Sequence, residues 1–146
     1  MEIRVRIEGI ENTMRALDGA LRPDAVRAGL MAAAFFVEGK AKTLPPPIDT
    51  GFLRNSIYSV SADTSGYNAA YAQAQQVNPD ATMLPPLTAG RMEAIVAVGA
   101  EYGAAIETLR TRTITGNQPF MRPALDQARP HLAAIIEAAM RRRANK

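Results

Sequence analysis

Asp49 and Arg54 stand five residues apart around a Thr-Gly pair, where a carboxylate and a guanidinium could cooperate in acid–base chemistry. The intervening Thr50-Gly51 gives Asp49 a simpler role, because Asp and Thr are helix-capping types and Gly permits a tight start to a helix. The other carboxylates do not pair at a spacing that places two on one helical face. His131, the one histidine, follows Arg129-Pro130 and reads as a helical surface residue; alone it can build neither a triad nor a multi-histidine metal site. The absence of cysteine removes disulfides, thiolate metal sites and thiol nucleophiles. Gly99-Ala100-Glu101-Tyr102-Gly103 lacks the glycine pattern and the lysine of a phosphate loop. The chain is therefore expected to be no enzyme and to use no cofactor and no metal.

At 146 residues, 47% hydrophobic and 21% charged, the composition fits one folded domain spanning 1–146. The net charge of +3 is unevenly placed. Residues 1–107 carry nine basic and twelve acidic side chains, a balance of −3. Residues 108–146 carry eight basic and two acidic ones, a balance of +6. Such a division points to an acidic partner or a head-to-tail neighbour. Arg110, Arg112, Arg141, Arg142, Arg143 and Lys146 are the candidate partner-facing or phosphate-facing residues. Four Phe, four Tyr and no Trp, without basic–aromatic interleaving, give no stacking platform for nucleic acid, and no zinc or recognition-helix signature is present. Contact with DNA would then be non-specific. The longest apolar run, Leu30–Val37, is far short of the ~20 residues of a membrane span. No targeting signal is visible, so a soluble protein made in the cytoplasm is expected.

Several elements must position these residues. Residues 2–8 alternate Ile3, Val5 and Ile7 with charges, the period of a half-buried strand. Ile10, Met14, Leu17 and Leu21 predict a short helix. Residues 24–44 predict the long central helix, with Val26, Leu30, Ala33, Val37, Ala41 and Leu44 on one face and Pro45-Pro46-Pro47 ending it. Its stripe is rich in small residues, so a neighbour can approach closely. Tyr58–Ser61 reads as extended, and Met92–Gly99 as a strand rich in β-branched residues. Residues 62–91 form a long connection, functional or mobile, with at most a helical turn or two around Tyr67, Tyr71, Ala72 and Gln75. Residues 108–118 predict an exposed arm. Residues 119–143 predict a C-terminal helix, kinked or divided at Pro130. The fold class expected is α+β: a small antiparallel sheet of about three to four strands against a long central helix and a C-terminal helix.

Three stretches occur in order: Ile48-Asp49-Thr50-Gly51-Phe52-Leu53-Arg54-Asn55-Ser56-Ile57, then Val98-Gly99-Ala100-Glu101-Tyr102-Gly103-Ala104-Ala105-Ile106-Glu107, then Gln118-Pro119-Phe120-Met121-Arg122-Pro123-Ala124-Leu125. This order resembles the neck and tail-completion (head–tail joining) proteins of long-tailed bacteriophages, over roughly residues 20–143. In that family an Asp-Thr-Gly-x-Leu-Arg-x-Ser-Ile stretch follows an Ala-rich helix, and a Gln-Pro-Phe-Leu-Arg-Pro-Ala-Leu stretch opens the last one. Where the family has Glu-Phe-Gly-Thr, this chain has Glu107-Thr108-Leu109-Arg110, and its 62–91 connection looks longer. The resemblance implies a virion structural protein at the head–tail junction. It would form a ring with itself, a hexamer, joining head-completion proteins to the tail terminator or tube. It marks Asp49, Thr50, Gly51, Leu53, Arg54, Ser56, Ile57, Gln118, Pro119, Phe120, Arg122 and Pro123 as fold and assembly residues. Leu53, Ile57 and Phe120 would enter the core, Arg54 would pair with an acid, and Pro123 would start the helix. A basic DNA-associated protein, or a tail-assembly factor absent from the finished virion, are the alternative readings.

Overall fold

In the computed structural model the described residues are 22–43, 51–103, 107 and 119–145. The expected strand at 2–8, the helix over 10–21, Leu44 with the prolines 45–47, and the arm at 108–118 lie outside them.

The first described element is helix α1, Pro23–Thr43. Pro23 suits a first turn because its φ is already helical, and Asp24 at one end with Lys40 and Lys42 at the other complements the macrodipole. Val26, Leu30, Ala33, Val37 and Ala41 are all buried, as the periodicity predicts. A short helix α2, Phe52–Asn55, leads directly into strand β1, Ile57–Ser61. Helix α3, Tyr67–Val77, follows, then strand β2, Ala94–Val98. Helix α4, Met121–Ala144, completes the α+β fold.

β1 and β2 pair antiparallel, with Ile57 opposite Val98 and Ser61 opposite Ala94. Among the described residues the sheet thus has two strands, fewer than the three to four expected, and the strand expected at 2–8 is not among those residues. Both strands are buried along their whole length. A sheet residue is buried on either face only if both faces are covered, and here they are. Ile57, Ser59 and Ser61 face α1, where the Ser59 hydroxyl donates to the Glu38 carboxylate. Tyr58 and Val60 face α3 and the segment after it.

The 62–91 connection therefore differs from the expectation of a largely structureless link. It contains the 11-residue helix α3, held by an apolar stripe of Tyr67, Ala70, Tyr71 and Ala74 at helical spacing. Its remainder lies across the sheet: Met83 bridges Ala100, and the Leu84 N–H donates to the Gly99 carbonyl at 2.7 Å. Three tyrosines organise this layer. The Tyr58 and Tyr67 rings meet edge-on at 5.3 Å, and the Tyr71 ring stacks on Tyr67 at 6.1 Å. The Tyr67 hydroxyl donates to the Leu84 carbonyl at 2.9 Å, and the Tyr58 hydroxyl accepts from the Leu87 N–H at 3.2 Å.

α4 packs along α1 in the antiparallel sense. Arg143 reaches Asp24 at 3.4 Å, and the His131 ring meets Phe36 edge-on at 5.8 Å. α4 lies on α1 rather than on the sheet, with Met121, Ala124 and Ala128 fully buried at its start. The helix is not divided at Pro130, since it runs continuously from Met121 to Ala144 with Pro130 inside it. Pro130 and Asp126, the residue whose carbonyl loses a partner to the proline ring, are both exposed, so water can satisfy that carbonyl.

Candidate functional site

The described part of the first motif, residues 51–57, is the short helix α2 and the start of β1. Gly51 caps α2 with φ of 80°, a left-handed conformation that L-residues with a Cβ rarely adopt. No side chain caps this helix within the described residues, and Asp49 and Thr50, expected as capping types, lie outside them. Phe52, Leu53 and Ile57 are buried to within a few per cent, so Leu53 and Ile57 do enter the core. Arg54 is exposed and makes no ion pair among the described residues, which do not include Asp49.

Ser56 ties this motif to the second stretch. It is fully buried, and its hydroxyl donates to the Leu53 carbonyl at 2.7 Å while accepting from the Ala100 N–H at 3.1 Å. The Ser56 carbonyl also accepts from the Gly99 N–H at 2.9 Å. One small polar residue thereby fastens the end of β2 to the start of β1. A serine that follows Arg54 and Asn55 would ordinarily be placed at the surface.

Glu107 ties the second stretch to the third. Its carboxylate accepts three backbone N–H groups, from Phe120 and Met121 at 2.9 Å each and from Arg122 at 2.7 Å. These are donors that a helix N-terminus leaves unsatisfied, and a negative charge also suits the positive end of the macrodipole. The cap comes from a residue 13 positions upstream of Phe120, outside any local capping pattern. Sequence reasoning therefore missed it; the signal available was a carboxylate ending a motif, ahead of a helix whose own Phe120 offers no capping oxygen. Phe120 is fully buried, Pro119 is half-buried and Arg122 is exposed, while Gln118 lies outside the described residues. Pro123 is the third residue of α4 rather than its first.

The basic residues separate into three situations. Arg141 pairs with Glu137 one turn back, and Arg143 pairs with Asp24. Arg142 is exposed and forms no ion pair among the described residues. Arg110, Arg112 and Lys146 lie outside those residues. Slight removal from water raises the Asp24 carboxyl, but the Arg22 hydrogen bond and charge, the Ala25 N–H and Arg143 outweigh it. The net effect holds the carboxyl below its ordinary range. Burial, with Tyr71 adding to it, pushes the Tyr67 hydroxyl above its ordinary value.

Among the described residues no group of three or more His, Asp or Glu could hold a metal ion, and every buried side-chain polar atom has a hydrogen-bond partner. No helix among them is long and apolar enough to cross a membrane. No protein-family model, curated protein or solved structure matches the chain.

Proposed function

We propose that this chain is a non-enzymatic virion structural protein of the phage head–tail junction. It assembles as a ring, a hexamer, that connects the head-completion proteins to the tail. The observation that carries this reading is the ordered series 48–57, 98–107 and 118–125, which resembles the motif order of the neck and tail-completion family over roughly residues 20–143. The packing gives support, since Ser56 and Glu107 bind the three stretches into one connected unit. A shared motif set that is also one mechanical unit suits a protein whose work is to hold neighbours in place. The charge division supports a role in assembly as well, because a ring of heterologous contacts needs two different, complementary surfaces on each subunit.

The test is native mass spectrometry and negative-stain microscopy of the full chain, alone and with the adjoining connector proteins. Rings of defined copy number are expected. A chain that stays monomeric and binds none of the connectors overturns the proposal.

The exposed Arg141–Arg143 turn favours one second reading, a DNA-associated protein. That reading requires duplex binding that weakens steeply with salt and disappears when these three arginines are neutralised. Mass spectrometry of purified virions separates a retained component from an assembly factor left behind.

A further inference from the structure

Strand β2 has an edge whose backbone groups find no partner among the described residues. In an antiparallel pair, alternate residues turn both backbone groups toward the neighbouring strand, and the others turn both away. In β1 the Ser59 carbonyl accepts from the Gly66 N–H at 2.9 Å, and the Ser61 N–H donates to the Thr64 carbonyl at 2.8 Å. Ser59 and Ser61 therefore turn away from β2. Their partners across the ladder, Val96 and Ala94, turn away from β1 in the same way, and Val98 follows by alternation. The N–H and C=O groups of these three residues point outward along the sheet, where none bonds a described residue.

Water does not meet them either, because Val96 is 0% exposed, Val98 3% and Ala94 5%. Backbone groups withdrawn from water are nearly always paired. The segment after Met83 does not supply the partner: Leu84 reaches only the Gly99 carbonyl past the end of β2, and Pro85 and Pro86 have no N–H. The Leu87 N–H goes to the Tyr58 hydroxyl. The partner is therefore sought in the rest of the chain. Residues 44–50 hold the proline run, and 104–106 are too few to span the five residues of β2. In 108–118 no two apolar residues alternate onto one face, whereas 2–8 set Ile3, Val5 and Ile7 together. A strand joining a sheet covered on both faces needs such an apolar face. The reach also suffices. Arg27 pairs with Asp63 just beyond β1, so α1 begins by Ser61 and its partner Ala94. From Arg22 there, residues 9–21 span about 20 Å even if wholly helical, against about 17 Å for five strand residues.

We infer that residues 2–8 dock along this edge of β2 within the same copy, exchanging backbone hydrogen bonds with Ala94, Val96 and Val98. The outermost strand of the sheet then carries Glu2, Arg4, Arg6 and Glu8. Charged side chains on an edge strand discourage pairing with a further chain. Contacts between copies are then made by side-chain surfaces and not by extending the sheet. The docking itself holds whether or not the chain forms rings.

The test is heteronuclear NMR of the full chain. Couplings across hydrogen bonds are expected between the Ala94, Val96 and Val98 amides and carbonyls within residues 2–8. The same three amides are expected to exchange slowly. Val5→Pro removes one N–H from the docked segment and should speed their exchange by about tenfold or more, while Ile95 and Ala97, bonded to β1, change far less. In a co-refolded mixture of differently isotope-labelled copies, contacts between 2–8 and β2 are expected only within one copy. Couplings from these amides to residues outside 2–8 overturn the inference. So does exchange at the three amides that is fast in the native chain or unmoved by Val5→Pro, and so do contacts between copies.

Discussion

Removing the Ser56 hydroxyl leaves the Ala100 N–H without its acceptor inside the core. Ser56→Ala should therefore lower stability by about 1–3 kcal/mol, the cost of an orphaned buried hydrogen-bonding group, as read by chemical denaturation. Glu107→Gln keeps the shape of the α4 cap but removes its charge, and should cost about 1 kcal/mol, with Glu107→Ala costing more. The residue scale was unevenly legible. Leu53, Ile57 and Phe120 announce themselves as core because large apolar side chains gain most from burial. Ser56 and Glu107 do not, because a polar side chain is informative only once its partner is known. Those partners lie 44 and 13 or more residues away along the chain.

Elements were easier to read where their signals are local. The expected 24–44 helix matches α1 closely because a period near 3.6, an N-terminal Pro-Asp and a terminal proline run are all short-range features. From sequence α3 reads as only a turn or two, because its apolar stripe is narrow and made partly of alanine, whereas in the fold Tyr67 packs edge-on against Tyr58 of the sheet. Contact between α1 and α4 is close at Gly29, where an added Cβ would stand 3.0 Å from the Ile136 carbonyl oxygen and 2.9 Å from the Ile136 side chain. A backbone atom cannot swing away. Gly29→Ala should thus destabilise despite alanine's better helix propensity of about 1 kcal/mol, and Gly29→Leu should separate the helices outright. Thermal melts of the two variants check the order. Asp24 bears on the same pair of helices. A carboxyl held below its ordinary range stabilises the fold above that range and loses the effect as pH falls through its folded value. Amide protection factors in the last turn of α4, which correct for the intrinsic pH dependence of exchange, should accordingly fall as pH drops below the ordinary carboxylate range, and Asp24→Asn should flatten that response.

At the scale of the whole molecule the division of charge is the property that reaches other molecules. If opposite charges guide assembly, ring formation should weaken between low salt and 1 M, where the screening length falls to about 3 Å. Size-exclusion chromatography with light scattering across a salt series measures the loss. Under the DNA reading, the salt slope would instead appear in duplex binding and shrink as each arginine of the last α4 turn is neutralised.

By itself the sequence determined the α+β class, the long central helix, the core positions of the motifs and the charge asymmetry. Each follows from residue type and local period, which need no knowledge of distant partners. Only the tertiary structure decided that the 62–91 segment covers the second face of the sheet and that Ser56 and Glu107 fasten three separated stretches. Those properties are pairings across the chain, and their free energy exists only once the paired groups have been brought together.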